Sequence, residues 1–254
     1  MKKLIRGLLD FQLNARPGMR EVFARLAKGQ HPDCLFISCA DSRVVPNLLV
    51  ATDPGDLFVV RNVGNLVPPS DSHGHSTGDQ SEPAALEFSL RNLPSVEDVV
   101  ICGHSSCGAM KAVLAGGVGP ETPNLAQWLK HGEPALRALN AGSPVGEGLA
   151  EYDRLSQLNV LHQLENIKTY PVVKERLEAG TLRLHGWWFD IANAQVHTWR
   201  PTQGRFVPMD ELVGEALLRE LGDDVRVRHD VPLAGNGADR GATNTVRLSA
   251  AGGR

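Results

Sequence analysis

The chain has few cysteines, no long apolar run and no excess of one charge, and these shortages exclude several classes of protein. Four cysteines are too few for a disulfide framework in a chain of 254 residues. The apolar runs are far shorter than the roughly 18 residues that a membrane-spanning helix needs. A net charge of −3, without a block of like charge, gives no indication of binding to nucleic acid or to a membrane surface.

The N-terminus lacks the features of a secretory signal. Met1–Lys3 is basic, but Arg6 and Asp10 interrupt the apolar residues that follow. A secretory signal needs a continuous apolar core, and no transit peptide is evident either. We therefore expect the protein to be cytoplasmic.

Length and composition favour one domain. With 42% apolar residues, the chain can bury a full core. We expect a single domain over residues 1–254, in which 1–28 form an N-terminal helical arm and 232–254 form a loosely held tail. Residues 69–83 have no apolar side chain beyond proline, which predicts a long exposed loop.

The spacing of apolar residues predicts strands that alternate with helices. Two short amphipathic helices are expected on either side of Asn14–Gly18. The predicted strands that follow are 34–39, 57–60, 97–102, 181–189 and 194–199. The predicted helices are 82–92, 109–114, one around 125–129, 151–168, one from Pro171 to Gly180, and 209–220. The pattern predicts an α/β fold with a mostly parallel sheet, an antiparallel edge and flanking helices.

Two short polar segments each follow a predicted strand and contain candidate metal ligands. Cys39 begins the run Cys-Ala-Asp-Ser-Arg, and His104 and Cys107 lie in the run His-Ser-Ser-Cys. His104 and Cys107 are three residues apart at the predicted opening of a helix, so that both could face one point. Two thiolates and one imidazole suit Zn²⁺ and leave its fourth position free. The sequence therefore predicts an open, catalytic zinc site.

An aspartate and an arginine follow the first candidate ligand. Asp41 could accept a hydrogen bond from the water in the fourth position, and Arg43 could hold Asp41 through a bidentate ion pair. If Arg43 released it, Asp41 could enter the fourth position and close the site. The alternatives are a surface ion pair for these two residues and, for the three ligands, a structural zinc or buried thiols beside a core histidine.

In these motifs the chain resembles the β-class carbonic anhydrases. The similarity runs from the N-terminal helices to about residue 199 and includes, in order, Cys39–Arg43, Val60–Asn65, Gly103–Gly108 and Leu184–Trp187. The resemblance implies reversible hydration of CO₂ by zinc-bound hydroxide, with Cys39, His104 and Cys107 as ligands and Asp41 and Arg43 as a catalytic pair. It also implies a homodimer whose N-terminal helices embrace the partner, or a higher oligomer built from such dimers.

The resemblance further indicates which residues contact the substrate. Gln30 matches a glutamine that donates to the substrate in the readily active subtype of the family, and Phe58 matches a phenylalanine of the pocket. Phe88 takes the place of the family's pocket tyrosine, which removes one hydroxyl. Val63 and Gly108 lie within the matching motifs and complete the predicted substrate-binding set.

Two other functions remain compatible with the same residues. A zinc site of this kind could instead hydrolyse carbonyl sulfide or carbon disulfide, which are linear analogues of CO₂. Alternatively, the protein could be a catalytically silent zinc scaffold or a bicarbonate sensor. The presence of Gln30, Asp41 and Arg43 argues against a silent site, because such a site has no physical need for them.

Overall fold

The computed structural model describes residues 1–222. The predicted tail, 232–254, lies outside the described residues. Residues Met1–Lys28 form one compact unit, and a second unit begins at Gly29 and contains the sheet. Among residues 1–222, no helix combines the length and the apolar character that crossing a membrane requires.

Six strands of the second unit form one sheet in the order β2-β1-β3-β4-β5-β6. Their bounds are β1 Cys34–Cys39, β2 Leu57–Asn62, β3 Asp98–His104, β4 Arg183–Asp190, β5 Gln195–Arg200 and β6 Arg205–Pro208. The first four are parallel to one another, whereas β5 pairs antiparallel with both β4 and β6. The predicted α/β fold with an antiparallel edge is thus confirmed.

The helices of the second unit flank this sheet. They are α3 Pro46–Leu49, α4 Ser81–Asn92, α5 Gly108–Leu114, α6 Pro123–Leu129, α7 Glu133–Asn140, α8 Glu151–Ile167, α9 Pro171–Glu178 and α10 Glu211–Glu220. The sequence pattern missed α3, α7 and β6, which are short or follow other elements closely. Pro171 lies in the first turn of α9, where its missing N–H is tolerated.

Strands β1 and β3, which are interior neighbours in the sheet, bury both of their faces. Leu35 and Ile37 of β1 contribute to a large core cluster on one face of the sheet, and Phe36 contributes to a smaller cluster on the other. In β3, Ile101 and Cys102 divide between the same two clusters. This alternation follows from the two-residue period of a strand, and burial on both faces explains the continuous apolar runs in the sequence.

The N-terminal unit differs from the prediction of two separate helices. Helix α1, Lys2–Asp10, continues through a π-helical segment, Phe11–Ala15, into α2, Arg16–Leu26. Pro17 does not break the helix because it lies in the first turn of α2. The segment that the sequence suggested would be a loop is thus partly a π-helical turn, which keeps the helix continuous. That this arm embraces a second subunit stays a prediction.

Residues 69–83 form a loop for most of their length, as predicted, and α4 begins at Ser81. One isolated bridge joins Ser70 to Ser76. Ser70 also bonds Thr169 through both its N–H and its hydroxyl, at 2.7 Å each. The loop is therefore attached to the segment between α8 and α9, although its own residues are polar.

Candidate metal centre and active site

The carboxyl ends of β1 and β3 bring the three candidate ligands together. The two strands are parallel neighbours in register from Cys34↔Asp98 to Ser38↔Cys102. Cys39 is the last residue of β1, and His104 is the last residue of β3. Side chains at these strand ends therefore lie at one edge of the sheet, where α/β proteins place their sites.

Cys107 reaches the same point from a different element. It is the N-cap of α5, and Ser106 before it adopts a positive φ of 53°. The prediction that His104 and Cys107 share a helix opening was wrong, because β3 extends through His104. The sharp turn at Ser105–Ser106 produces the convergence that the three-residue spacing suggested.

The three side chains have the arrangement of a metal site. A sulfur of Cys39, a sulfur of Cys107 and a ring nitrogen of His104 lie within 4.8 Å of one another. All three residues are buried, and His104 is 0% exposed. Two soft sulfur donors with one imidazole favour zinc over calcium or magnesium.

The histidine supplies a direct test of whether an ion fits. Its Nδ1 lies 2.8 Å from the Ser105 carbonyl oxygen, an arrangement that directs Nε2 toward the two sulfurs. Within residues 1–222, this buried Nε2 has no hydrogen-bond partner. An unpartnered buried nitrogen is costly unless something binds it, and a metal ion satisfies it. The residues present therefore fit zinc.

The thiols of Cys39 and Cys107 shift each other's pKa in opposite directions. Contact with the Cys107 thiol holds the pKa of Cys39 below its ordinary value, and the neighbouring His104 ring and the Gly64 amide act in the same direction against burial. The same contact with Cys39, together with burial, raises the pKa of Cys107. The pair thus favours one thiolate at neutral pH, and a cation favours the second.

Asp41 and Arg43 form the predicted ion pair beside this cluster. Arg43 donates from Nε to Oδ1 of Asp41 at 2.8 Å and from Nη2 to Oδ2 at 2.7 Å. These bonds hold the pKa of Asp41 well below its ordinary range. The Asp41 Oδ2 lies 3.8 Å from Nε2 of His104, so an ionised carboxylate faces the ligand cluster.

Arg61 and Asp153 hold the two segments that carry the ligands. Arg61 donates from Nε to the carbonyl oxygen of Cys39 at 3.2 Å and from Nη2 to that of Asp41 at 2.7 Å. Asp153, in the first turn of α8, accepts the N–H of Ser106 at 2.6 Å. Each segment is thus anchored by a side chain from another element.

A cavity of about 320 Å³ lies beside Cys39, one of the three candidate ligands, and beside Asp41. Its polar lining comes from Cys39 and Asp41, and the rest is Ala40, Val63, Gly108, Ala109, Ala112, Leu125 and Leu129. A mostly apolar cavity with one ionised carboxylate beside the candidate ligands suits a small, nonpolar substrate. Apart from Gly108, the walls from α5 and α6 were not found by sequence reasoning, because apolar helix residues carry no signal that separates a cavity wall from the core.

Comparison with known proteins decides the family. The family model described as carbonic anhydrase matches residues 34–196, which contain all three candidate ligands. The chain belongs to the carbonic anhydrase family. A carbonic anhydrase of Pseudomonas aeruginosa is 42% identical over 211 residues, which cover 83% of this chain and 93% of that protein.

Solved carbonic anhydrase structures share the fold. The β-carbonic anhydrase CcaA superimposes with a TM-score of 0.74 at 36% identity and covers 83% of this chain and 92% of its own. A structure from a report on two tetrameric β-carbonic anhydrases of the filamentous ascomycete Sordaria macrospora has a TM-score of 0.65 at 27% identity, with 78% of this chain and 97% of its own covered. The resemblance to the β-class noted from the motifs is confirmed.

Of the five predicted substrate residues of this carbonic anhydrase family member, two line the cavity, namely Val63 and Gly108. The other three, Gln30, Phe58 and Phe88, do not line it. Gln30 is exposed in the segment before β1. Phe58 stacks on Phe88 with ring centroids 5.8 Å apart, and Phe88 is 45% exposed. Their role in substrate binding stays a prediction.

Proposed function

We propose that this protein catalyses the reversible hydration of CO₂ to bicarbonate and a proton, with a zinc ion held by Cys39, His104 and Cys107. The observation that carries the proposal is the buried set of two sulfurs and one nitrogen, with the Asp41 carboxylate 3.8 Å from His104 at the edge of an apolar cavity. Membership in the carbonic anhydrase family supports the same activity.

Zinc, when bound, supplies the Lewis acidity that makes water a nucleophile near neutral pH. The chain supplies the rest. Oδ2 of Asp41 accepts a hydrogen bond from the attacking water and so orients the oxygen of that water. Arg43 donates to both carboxylate oxygens and keeps Asp41 ionised, which allows it only to accept.

The apolar walls of the cavity favour CO₂ over water. They offer no hydrogen-bonding side chain, so water forms few hydrogen bonds there and does not displace a nonpolar gas; these walls are Val63, Ala112, Leu125 and Leu129. Bicarbonate is charged and is poorly solvated by the same walls, which favours its release. This difference in solvation supports turnover in the hydration direction.

The central test replaces one ligand. Cys107→Ala is expected to lose bound zinc and CO₂ hydration together, with activity reduced more than about 100-fold, since the loss exceeds that for residues that only support a ligand. Stopped-flow CO₂ hydration and metal analysis on the same sample measure both. Cys102→Ala is the matched control: Cys102 is equally buried but packs in the smaller core cluster on the other face of the sheet.

A Cys107→Ala protein that hydrates CO₂ at the wild-type rate without metal contradicts the proposal. Carbonyl sulfide and carbon disulfide are assayed in parallel with CO₂. A wild-type rate on CO₂ far below the rate on either sulfur analogue assigns the site to that substrate instead.

We further propose that a second copy of the chain joins at strand β2 and brings Gln30, Phe58 and Phe88 toward a neighbouring cavity. Strand β2 is an outer strand of the sheet, and among the described residues no strand pairs with its free side. Val59 is 37% exposed and Phe88 is 45% exposed beside it. An uncovered edge with apolar side chains favours association.

Substitution of Val59 by lysine tests this interface. The charge at the edge is expected to shift the protein from dimer or larger to monomer in sedimentation at micromolar concentration. Leu212→Lys is the control, because Leu212 is 77% exposed and lies on α10 rather than on the β2 edge. A wild-type monomer, or a Val59→Lys protein of unchanged size, contradicts the proposed interface.

A further inference from the structure

One peptide group links the indole of Trp128 to a candidate zinc ligand. Trp128, on α6, donates from Nε1 to the carbonyl oxygen of Val63 at 2.7 Å. The N–H of the same peptide belongs to Gly64 and donates to Sγ of Cys39 at 3.4 Å. The two hydrogen bonds are therefore in series across a single peptide plane.

Hydrogen bonds in series strengthen each other. A donor at the carbonyl oxygen polarises the peptide and makes its N–H a stronger donor. An N–H directed at a metal-bound thiolate orients the sulfur and draws electron density from it. The indole can thus act on Cys39 without contact with it.

The structure holds this peptide in place from several sides. Gly64 has a φ of +83°, and a Cβ at this position would lie 2.9 Å from Cβ of Ala109. A glycine is therefore required both by the backbone conformation and by the approach of α5. Asn159 of α8 donates from Nδ2 to the Gly64 carbonyl oxygen at 3.0 Å. Asn159 thus fixes the peptide that follows Gly64. In the peptide that precedes Gly64, the acceptor is the Val63 carbonyl, and Trp128 binds it.

We propose that Trp128 is a positioning residue that sets how strongly the Cys39 sulfur donates to the metal, acting through the peptide between Val63 and Gly64. The proposal rests on the metal centre of the proposed function. It assigns to Trp128 an electronic role in addition to its packing against His131, whose ring centroid lies 5.5 Å away.

The test uses Trp128→Phe, which keeps an aromatic ring and removes the N–H. In the cobalt(II)-substituted protein, the thiolate-to-metal charge-transfer band is expected to move to lower energy, because the sulfur regains electron density. Zinc affinity, measured by competition with a chelator, is expected to fall about 10-fold, the lower end of the range for groups that support a ligand, because a weaker Gly64 N–H donor orients the Cys39 sulfur less well. Trp199→Phe is the control and is expected to change neither quantity.

Trp199 suits that purpose because, among the described residues, only the indoles of Trp128 and Trp188 donate hydrogen bonds. If Trp128→Phe does not fold, the tryptophan isostere benzothienylalanine, whose ring sulfur replaces the N–H, is incorporated in a Trp188→Phe background. This removes the Trp128 donor without a change in ring size. The same band shift is expected relative to Trp188→Phe with ordinary tryptophan, which is the reference because Trp188 donates to Oγ of Ser156 and Ser156 donates to the His104 carbonyl oxygen.

The outcomes separate this inference from the proposed function. A wild-type protein without a thiolate-to-cobalt band overturns the metal centre and the inference with it. A normal wild-type band that is unchanged in folded Trp128→Phe, with unchanged zinc affinity, overturns the inference alone. A shift of equal size in Trp199→Phe also overturns it, since the effect would then not pass through the Val63 carbonyl.

Discussion

Two aspartate–arginine pairs lie at opposite ends of the parallel strands and have nearly the same geometry. At the carboxyl end, Arg43 donates to the two oxygens of Asp41 at 2.8 and 2.7 Å. At the amino end of β3 and β4, Arg183 donates to the two oxygens of Asp98 at 2.8 and 2.7 Å. Pair geometry alone therefore does not distinguish a site from a structural contact.

The surroundings of the two pairs differ. Asp98 and Arg183 are register partners on adjacent strands, and Nε2 of His185 adds a third contact to Asp98 at 2.7 Å. Asp41 instead turns Oδ2 toward His104 and a cavity, without a further side-chain hydrogen bond to that oxygen among the described residues. A carboxylate oxygen that can still accept a hydrogen bond beside the candidate ligands can orient a molecule bound there. A carboxylate whose oxygens are all hydrogen-bonded to side chains stabilises the sheet instead.

Matched arginine substitutions sharpen this comparison most. Arg43→Ala is expected to lower CO₂ hydration about 100-fold while zinc stays bound, because Asp41 loses the donors that hold it and is free to approach the metal. Arg183→Ala is expected to leave kcat and zinc content near wild type and to reduce stability. Stopped-flow kinetics, metal analysis and denaturant unfolding on both variants provide the measurements.

Equal losses of activity in the two arginine variants would mean that Arg43 acts only through stability. Near wild-type turnover in Arg43→Ala would remove Asp41 and Arg43 from the mechanism. Loss of zinc in Arg43→Ala would instead assign the pair to metal retention.

The pair of Asp98 and Arg183 is expected to have a smaller effect, on the free energy of unfolding, and this effect depends on pH. Burial opposes ionisation of Asp98, but hydrogen bonds from His185 and Arg183 outweigh it and lower its pKa to about 2 from an ordinary 3.8. Because the folded-state pKa is the lower one, the stabilisation is complete above about pH 4 and is lost as the pH falls toward 2. The difference corresponds to roughly 2 kcal/mol of unfolding free energy.

Asp98→Asn tests that effect against the wild type. The substitution is expected to reduce the unfolding free energy at neutral pH by about the same 2 kcal/mol, and the gap between the two proteins should close between pH 4 and 2. Urea unfolding across this range, with zinc content matched, measures it. A gap that stays constant with pH would show that the lost contact is not the ionised carboxylate.

The candidate ligands could be found because their signals are local. Cys39 and His104 end apolar strands, Cys107 follows the second strand after a short turn, and parallel neighbouring strands end at one edge of a sheet. Asp41 and Arg43 are two residues apart, so their ion pair needed no knowledge of the fold. The exact route to Cys107 was not predictable, since it depends on the positive φ of Ser106, a conformation that a serine rarely adopts.

Residues that act across the fold had no comparable signal. Trp128 and Val63 are 65 positions apart in the chain, and Asn159 and Gly64 are 95 apart. An indole or an amide in a helix reads as packing until the loop that it contacts is known. The family resemblance named Gln30, Phe58 and Phe88, but one copy of the chain does not place them at the cavity.

Residue type and spacing were thus sufficient to predict zinc, its three candidate ligands and the α/β arrangement, because donor chemistry and strand periodicity are properties of short segments. Tertiary structure decided which peptide contacts the Cys39 sulfur, which walls line the cavity, and which of two similar ion pairs faces the candidate ligands. These depend on contacts between segments far apart in the chain. Such contacts are set by packing of the whole sheet with its helices, and no short segment encodes them.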